Sequence, residues 1–208
     1  MKNSVLIFIC GAAGSGKSTL VKNLKNCMED IETLSFDSYL NDTTCPIDYF
    51  KGVITDPSVI ISEGFVKDLQ DLRNGKPIVD PEGKQKEPRK LILVDENFGR
   101  LRSSVAPFID FQIYVDVPLD VLLARRIIRN INGDLQGYSP EHKLNIISNN
   151  LASYVDGFRN TFLYIQDNLP DRSDYIVDGL KSIDKLTEEM AREINDFVSG
   201  FKEAGNFS

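Results

Sequence analysis

The fold is decided near the N-terminus, where an apolar run, Val5–Cys10 (VLIFIC), leads straight into a glycine-rich loop, Gly11–Ser18 (GAAGSGKS). The loop fits the phosphate-binding pattern G-x-x-x-x-G-K-[ST] at every position. Behind it, Leu20, Leu24 and Met28 recur at four-residue spacing and predict an amphipathic helix. A buried strand, this loop and a helix in succession are the context in which the pattern binds the phosphates of a nucleoside triphosphate.

The residue types of the loop suit that chemistry. Glycines let the backbone curl until successive N–H groups face phosphate oxygens, and the N-terminus of the following helix adds about half a positive charge. Lys17 is expected to reach the β- and γ-phosphates, and the Ser18 hydroxyl is expected to ligate Mg²⁺. The predicted nucleotide-binding residues are Gly11, Ala12, Ala13, Gly14, Ser15, Gly16, Lys17, Ser18 and Thr19.

The composition narrows the class of protein. The chain has 208 residues, 41% hydrophobic and 26% charged, which suits one hydrophobic core, so 1–208 is predicted to be a single domain. The net charge of −7 argues against a general nucleic-acid surface. No apolar run approaches the roughly 20 residues of a membrane span or suits a signal peptide, so we expect a cytoplasmic protein without a membrane partner. Three scattered cysteines and a single histidine predict reduced thiols and no histidine-based metal site.

Short β-branched runs alternate with helical stretches along the chain, which is typical of a parallel sheet covered by helices on both faces. The predicted strands are Val5–Cys10, Glu32–Ser35, Leu91–Val94, Phe111–Val115 and Tyr175–Val177. A helical stripe from Leu144 to Ile165 passes through Gly157, where we expect a kink. Phe158 and Phe162 lie on that stripe at core spacing, so we expect them to pack inside without contacting a ligand.

Ile113–Ile131 (IYVDVPLDVLLARRIIRNI) reads as an apolar strand followed by a helix that carries three arginines. It is similar to the fourth strand of uridine kinases and the helix that leads into their lid. The chain resembles, unevenly from Val5 to about Gly179, the uridine kinase, phosphoribulokinase and pantothenate kinase group of small-molecule kinases. The resemblance implies the α/β fold of P-loop NTPases, three layers (α/β/α) with a parallel sheet of about five strands in the order 2-3-1-4-5. It also implies a substrate hairpin near 75–89 and a small lid near 130–140.

Thr33–Tyr39 (TLSFDSY) resembles the segment that ends the second strand of these kinases. The resemblance implies that the Asp37 carboxylate lies beside the γ-phosphate. There it would accept or orient the proton of the acceptor hydroxyl and help to hold Mg²⁺. The alternative is a turn or helix cap, since aspartate is common after strands.

The arginine helix supplies the predicted cations. Arg126 and Arg129 match family positions, and Arg125 lies beside them near the same helix end. Three guanidiniums there would suit a clamp on a transferring phosphoryl group. The alternative is a solvated basic face without a site.

A Walker B-like segment follows the third predicted strand. Leu91–Val94 ends in Asp95 and Glu96, and an acid at the carboxyl end of a parallel strand lies where α/β proteins bind ligands. Glu96 is the better match to uridine kinases and Asp95 is equally placed by chemistry, so one of the two is expected to bind the metal through water. Val59–Glu63 has a similar shape, but the residues after it resemble the helix before the family's hairpin, so it is not expected to be a central strand. The candidate metal ligands are Ser18, Asp37, Asp95 and Glu96.

The chain departs from uridine kinases where they hold the base. Asn132–Gly137 (NGDLQG) stands where their lid usually carries Arg-Gly-Arg. Val79 and Lys84 stand in the hairpin where they usually carry a tyrosine and a histidine, and Leu40 replaces an aromatic residue. We therefore expect phosphate handling to be retained and base recognition to be altered.

The resemblance implies ATP and Mg²⁺ as cofactors, a small hydroxyl-bearing substrate, and Lys17, Asp37, Arg126 and Arg129 as catalytic residues. Nucleosides are the leading acceptor class. The alternatives are a kinase for another sugar-like or phosphorylated metabolite, and a nucleotide-binding regulatory protein with little turnover. Asp37 discriminates between these classes, because only a kinase needs that carboxylate. The preference for ATP over GTP and the formation of a homo-oligomer stay open.

Overall fold

Strands and helices alternate along the computed structural model, which describes residues 4–203. The strands are β1 (Val5–Cys10), β2 (Ile31–Ser35), β3 (Ile78–Val79), β4 (Gln85–Lys86), β5 (Leu91–Asp95), β6 (Phe111–Asp116) and β7 (Tyr175–Asp178). The helices are α1 (Lys17–Cys27), α2 (Ile47–Phe50), α3 (Glu63–Arg73), α4 (Leu119–Arg129), α5 (Pro140–Ser153), α6 (Arg159–Asn168) and α7 (Ile183–Glu203). Residues 1–3 and 204–208 of the predicted domain lie outside the described residues.

One parallel sheet has the strand order β2-β5-β1-β6-β7, while β3 and β4 pair separately as an antiparallel hairpin. The expected order 2-3-1-4-5 counts only the strands of this sheet. The two orders differ only because β3 and β4, which lie outside the sheet, are included in the numbering. The register sets Ile9 and Ser35 opposite Asp95. The carboxyl ends of β1, β2 and β5 therefore meet at one edge, where ligands bind in open α/β sheets.

Helices cover both faces of this sheet. All six residues of β1 are buried, and alternate side chains of a strand point to opposite faces. On α7, Leu186, Met190 and Ile194 are buried at helical spacing, and the helix packs beside α1. The result is the three-layer α/β/α architecture that the sequence predicts.

The stretch between residues 140 and 168 is helical with one interruption. Between α5 and α6, Tyr154–Phe158 form a π-helical turn that contains Gly157, where the sequence predicts a kink. Leu144 is 67% exposed, whereas Phe162 and Ile165 are buried. The apolar stripe therefore reaches the core only in its second half.

The segment Val59–Glu63 enters neither sheet, as expected. Ile61 forms an isolated bridge with Thr44, and α3 begins at Glu63. Cys10, Cys27 and Cys45 are free thiols. Across the described range, no helix combines the length and the apolar character needed to cross a membrane.

Candidate active site

The loop between β1 and α1 depends on glycines in left-handed conformations, with φ of 99° at Gly14 and 98° at Gly16. A Cβ at Gly14 would lie 2.9 Å from the carbonyl oxygen of Leu122, closer than side-chain carbons approach a backbone oxygen. Only glycine lets the loop lie this close to α4. The curl leaves the first residues of α1 on the wall of a cavity of about 260 Å³. A helix N-terminus in this position binds anions.

Lys17 begins α1 and is buried beside the loop. Its Nζ donates to the carbonyl oxygen of Ala12 at 3.5 Å and lies 4.0 Å from Oδ1 of Asp95, which is also buried. Buried charges need partners of opposite sign. The two side chains compensate each other, and the lysine still lies on the cavity wall.

This phosphate-loop cavity brings together most of the predicted site residues. Asp37 reaches it from the 3₁₀ helix that follows β2, and Arg126 and Arg129 reach it from α4. Its lining is Ala13, Gly14, Gly16, Lys17, Ser18, Thr19, Asp37, Asn97, Arg125, Arg126 and Arg129. The other predicted loop residues, Gly11, Ala12 and Ser15, are buried within the curl.

The three arginines of α4 have different surroundings. Arg125 donates to the backbone carbonyls of Ser15 at 3.4 Å and Gly179 at 3.0 Å, so it braces the loop against the end of β7. Arg126 lies with its guanidinium carbon 5.3 Å from the centroid of the Phe162 ring. Burial, and then the neighbouring Arg129, lower the pKa of Arg126. Arg129 is exposed at the rim. Arg126 is therefore a half-buried cation on the cavity wall, and Arg129 is an exposed one.

Asp95 and Glu96 face different surroundings although they are adjacent. Asp95 lies near Lys17 and shares a cavity of about 320 Å³ with Ser18 and Asp37. Glu96 is 1% exposed, and its carboxylate accepts from Arg102 at 3.2 Å and from two backbone N–H groups. Burial raises the pKa of Glu96, against the opposing charge of Arg102. Of the candidate metal ligands, the structure groups Ser18, Asp37 and Asp95 and separates Glu96 from them.

A family model for the phosphoribulokinase / uridine kinase family matches residues 38–170. The chain belongs to this family. A uridine kinase from Clostridium botulinum is 34% identical over 149 residues, which cover 64% of this chain and 71% of that protein. A uridine kinase from Haemophilus ducreyi is 32% identical over 146 residues, or 61% of this chain and 67% of that protein. A solved Silicibacter structure, described as a fructose transport system kinase, shares the fold with a TM-score of 0.52 at 18% identity, covering 76% of this chain and 82% of that one.

Family membership makes this protein an ATP-dependent small-molecule kinase. Such a kinase needs room for a second substrate beside the phosphate loop, and a second cavity of about 350 Å³ opens there. Ala13, Asp37, Asn97 and Arg126 line both this cavity and the phosphate-loop cavity. The rest of its lining is mostly apolar: Phe36, Leu40, Thr43, Cys45, Tyr49, Ile60, Phe98, Phe158, Thr161, Phe162 and Ile165. We refer to it as the apolar cavity.

The β3–β4 hairpin lies beside Asp37 at the cavity of about 320 Å³, not at the apolar cavity. Glu82 lies in its turn, accepts a hydrogen bond from Ser38 at 2.9 Å and pairs with Lys84. Lys84 lines the 320 Å³ cavity with Ser18 and Asp37, while Val79 is 65% exposed. The hairpin lysine is therefore close to the phosphate and metal candidates, and neither hairpin residue lines the apolar cavity.

The walls of the apolar cavity are the part of the site that the sequence does not reveal. Phe162 is buried in the core and Phe158 packs against it, as expected, and both side chains also line this cavity. Thr161 also lines it. Its hydroxyl is buried and has no hydrogen-bond partner among residues 4–203. No local motif marks these positions, because the wall combines segments that are far apart in the chain.

Proposed function

We propose that the protein transfers the γ-phosphoryl group of ATP, with Mg²⁺, to a hydroxyl of a small metabolite, with nucleosides as the leading acceptor class. One observation carries the proposal. Asp37 lines the phosphate-loop cavity, the apolar cavity and the cavity of about 320 Å³ beside the hairpin. A carboxylate at the junction of a phosphate site and a second-substrate site can receive the proton of a hydroxyl that attacks phosphorus.

The phosphate-loop residues supply the electrostatic part of this reaction. Backbone N–H groups of the phosphate loop and the Lys17 ammonium hold the β- and γ-phosphates. Arg126, half-buried between the two cavities, neutralises charge that develops on the transferring group. Charges fixed in advance in a cavity with little water cost no reorganisation as the reaction proceeds.

The donor set fits Mg²⁺. Ser18, Asp37 and Asp95 offer hard oxygen atoms around one cavity, and Mg²⁺ prefers oxygen ligands. Among residues 4–203 no three histidine, cysteine or acidic side chains converge into a metal cluster. Mg²⁺ needs none, since one or two carboxylates, waters and substrate phosphates complete its coordination. When bound, the ion neutralises charge on the phosphates.

The apolar cavity is proposed to hold the body of the acceptor. Its aromatic walls, including Phe98 and Phe162, suit a planar ring, which can stack on or meet the edge of aromatic side chains. The Thr161 hydroxyl offers one hydrogen bond to a polar atom of that ring. Another hydroxyl compound with an apolar body would fit the same walls. This is the reason to keep a non-nucleoside acceptor as the second candidate.

The test is release of ADP from ATP in the presence of uridine, cytidine, simple sugars and pantothenate-like alcohols, with Asp37→Asn as the matched variant. The proposal expects acceptor-dependent ADP release by the wild type and its loss in the variant. ATP binding without acceptor-dependent turnover across the panel would favour the nucleotide-binding regulatory protein. The kcat/KM of uridine relative to the best other acceptor decides between the two acceptor classes.

A further inference from the structure

Arg102 is the most deeply buried arginine among the described residues, with a relative exposure of 0%. Its Nη1 donates to Oε1 of Glu96 at 3.2 Å, and its Nη2 donates to the carbonyl oxygen of Ile60 at 3.3 Å. The other oxygen of Glu96 accepts the backbone N–H groups of Phe98, at 2.6 Å, and Gly99. This network fixes the end of β5, where Asp95 lies, and the residues directly after it, including Asn97.

The face of the same guanidinium contacts the segment that carries the other carboxylate. Its central carbon lies 4.3 Å from the centroid of the Phe36 ring and 5.9 Å from that of Phe65. The two rings meet edge to face, with centroids 5.2 Å apart. Phe36 directly precedes Asp37, so the stacked guanidinium supports the start of the 3₁₀ helix on which Asp37 lies.

We infer that Arg102 is a positioning residue for phosphoryl transfer. Through Glu96 it orients the segment of Asp95, and through Phe36 it orients Asp37, although Arg102 itself lines none of the three cavities described above. The inference rests on the roles given to Asp37 and Asp95 in the proposed function. A planar guanidinium can pair with a carboxylate, donate to a carbonyl and stack on a ring at the same time. A lysine ammonium on a flexible stem cannot do all three.

A merely structural ion pair is the competing explanation, and the chain contains a matched control for it. Arg73 and Asp110 form a second ion pair of low exposure, at 2.8 Å, and the Arg73 guanidinium lies 5.6 Å from the Phe108 ring centroid. Neither Arg73 nor Asp110 lines any of the three cavities. Removing one partner of a buried pair leaves an uncompensated charge, whereas replacing both partners with neutral residues of similar volume is often tolerated.

The experiment therefore compares two double variants, Arg102→Met with Glu96→Gln and Arg73→Met with Asp110→Asn. Thermal unfolding, the Kd of ATP by calorimetry, and kcat with the best acceptor are measured for each. We expect the first double variant to bind ATP within about twofold of the wild type and to lose about 10- to 100-fold in kcat, the scale of a misplacement of about 1 Å. The control is expected to keep kcat within about twofold at temperatures below its Tm.

Arg102→Lys is the second variant, in case the double variant fails to fold. It keeps a positive charge for Glu96 but loses the planar stack on Phe36, so we expect a folded protein with normal ATP affinity and a kcat lowered at least about fivefold. Wild-type kcat in Arg102→Lys, or an equal loss of kcat in the Arg73 control, would overturn the inference.

Asp37→Asn distinguishes a failure of the Arg102 inference from a failure of the proposed function. If Asp37→Asn is inactive while the Arg102 variants are fully active, only the Arg102 inference fails. Full activity in Asp37→Asn refutes the proposed function and this inference together.

Discussion

Replacing Lys17 with alanine is expected to weaken ATP binding while leaving the fold intact. The Lys17 Nζ is buried beside the loop and donates to the carbonyl oxygen of Ala12 at 3.5 Å. A hydrogen bond to a charged group contributes about 1.5–3 kcal/mol. Because about 1.4 kcal/mol corresponds to a tenfold change in affinity, losing one such contact raises the Kd of ATP by about 10- to 150-fold.

A second effect of this substitution has the same direction. Without Lys17, the buried carboxylate of Asp95 loses the cation that lies 4.0 Å away. Its negative charge then opposes the incoming phosphates, so the measured loss should lie toward the upper end of that range at low Mg²⁺. Most of the loop is held by backbone and by Arg125, so circular dichroism should show a retained fold, while the uncompensated Asp95 carboxylate should lower the Tm.

Calorimetric titration of ATP into the wild type and Lys17→Ala measures this prediction. Lys67→Ala is the matched control, because Lys67 is an exposed helical lysine paired with Asp71 at 2.8 Å, away from the loop. An exposed i, i+4 pair contributes little to stability, so removing it should leave ATP affinity unchanged. An unchanged Kd in Lys17→Ala would refute the assignment of the loop as the phosphate site.

Three further predictions concern the cavity walls and the sheet edge. Arg126→Ala should lower kcat by about 10²–10³-fold at saturating ATP, the usual effect of removing one preorganised charge-stabilising group. Arg129→Ala, at the exposed rim, should lower kcat by less than about tenfold. Steady-state kinetics in which Arg129→Ala loses more kcat than Arg126→Ala would contradict the different roles given to the two arginines. Thr161→Val should raise the KM of the acceptor by about tenfold, because one hydrogen bond is lost, without lowering the Tm; an unchanged KM would show that no acceptor atom meets this hydroxyl. For Glu32, burial raises the pKa, but the hydrogen bonds from Lys25 and the Thr33 N–H outweigh it and leave the pKa lowered from 4.5. A lowered folded-state pKa stabilises the fold above the ordinary carboxyl range and loses that contribution as pH falls through the folded value. The Tm difference between wild type and Glu32→Gln should therefore be present at neutral pH and shrink in acid, and a difference that grows in acid would contradict the sign.

The sheet and the phosphate loop could be predicted because their signals are local. The strand Val5–Cys10 is an unbroken apolar run, and the loop pattern is contiguous, so a short window of sequence contains the whole signal. The strand bounds in the structure differ from the predicted ones by a residue or less at each end. The 3₁₀ helix after β2 places Asp37 on the wall of the phosphate-loop cavity, and its position beside a γ-phosphate stays a prediction.

The choice between Asp95 and Glu96 could not be made from sequence. Adjacent residues at the end of a strand point to different sides, so the answer depends on which side faces Lys17. That is fixed by the register of β5 against β1 and by Arg102, a residue that no motif in the sequence marks. The apolar cavity could not be predicted from sequence for the same reason, since Tyr49, Phe98 and Phe162 meet only in the folded chain.

The most direct test of phosphoryl transfer through Asp37 is a single-turnover measurement on Asp37→Asn with ATP and the best acceptor. The amide is nearly isosteric with the carboxylate, so the Kd of ATP should stay within about twofold. Phosphoryl transfer should slow by about 10²–10⁴-fold, the usual contribution of a general base. Transfer at the wild-type rate in Asp37→Asn, with the acceptor bound, would contradict the account and leave Asp37 as a helix cap.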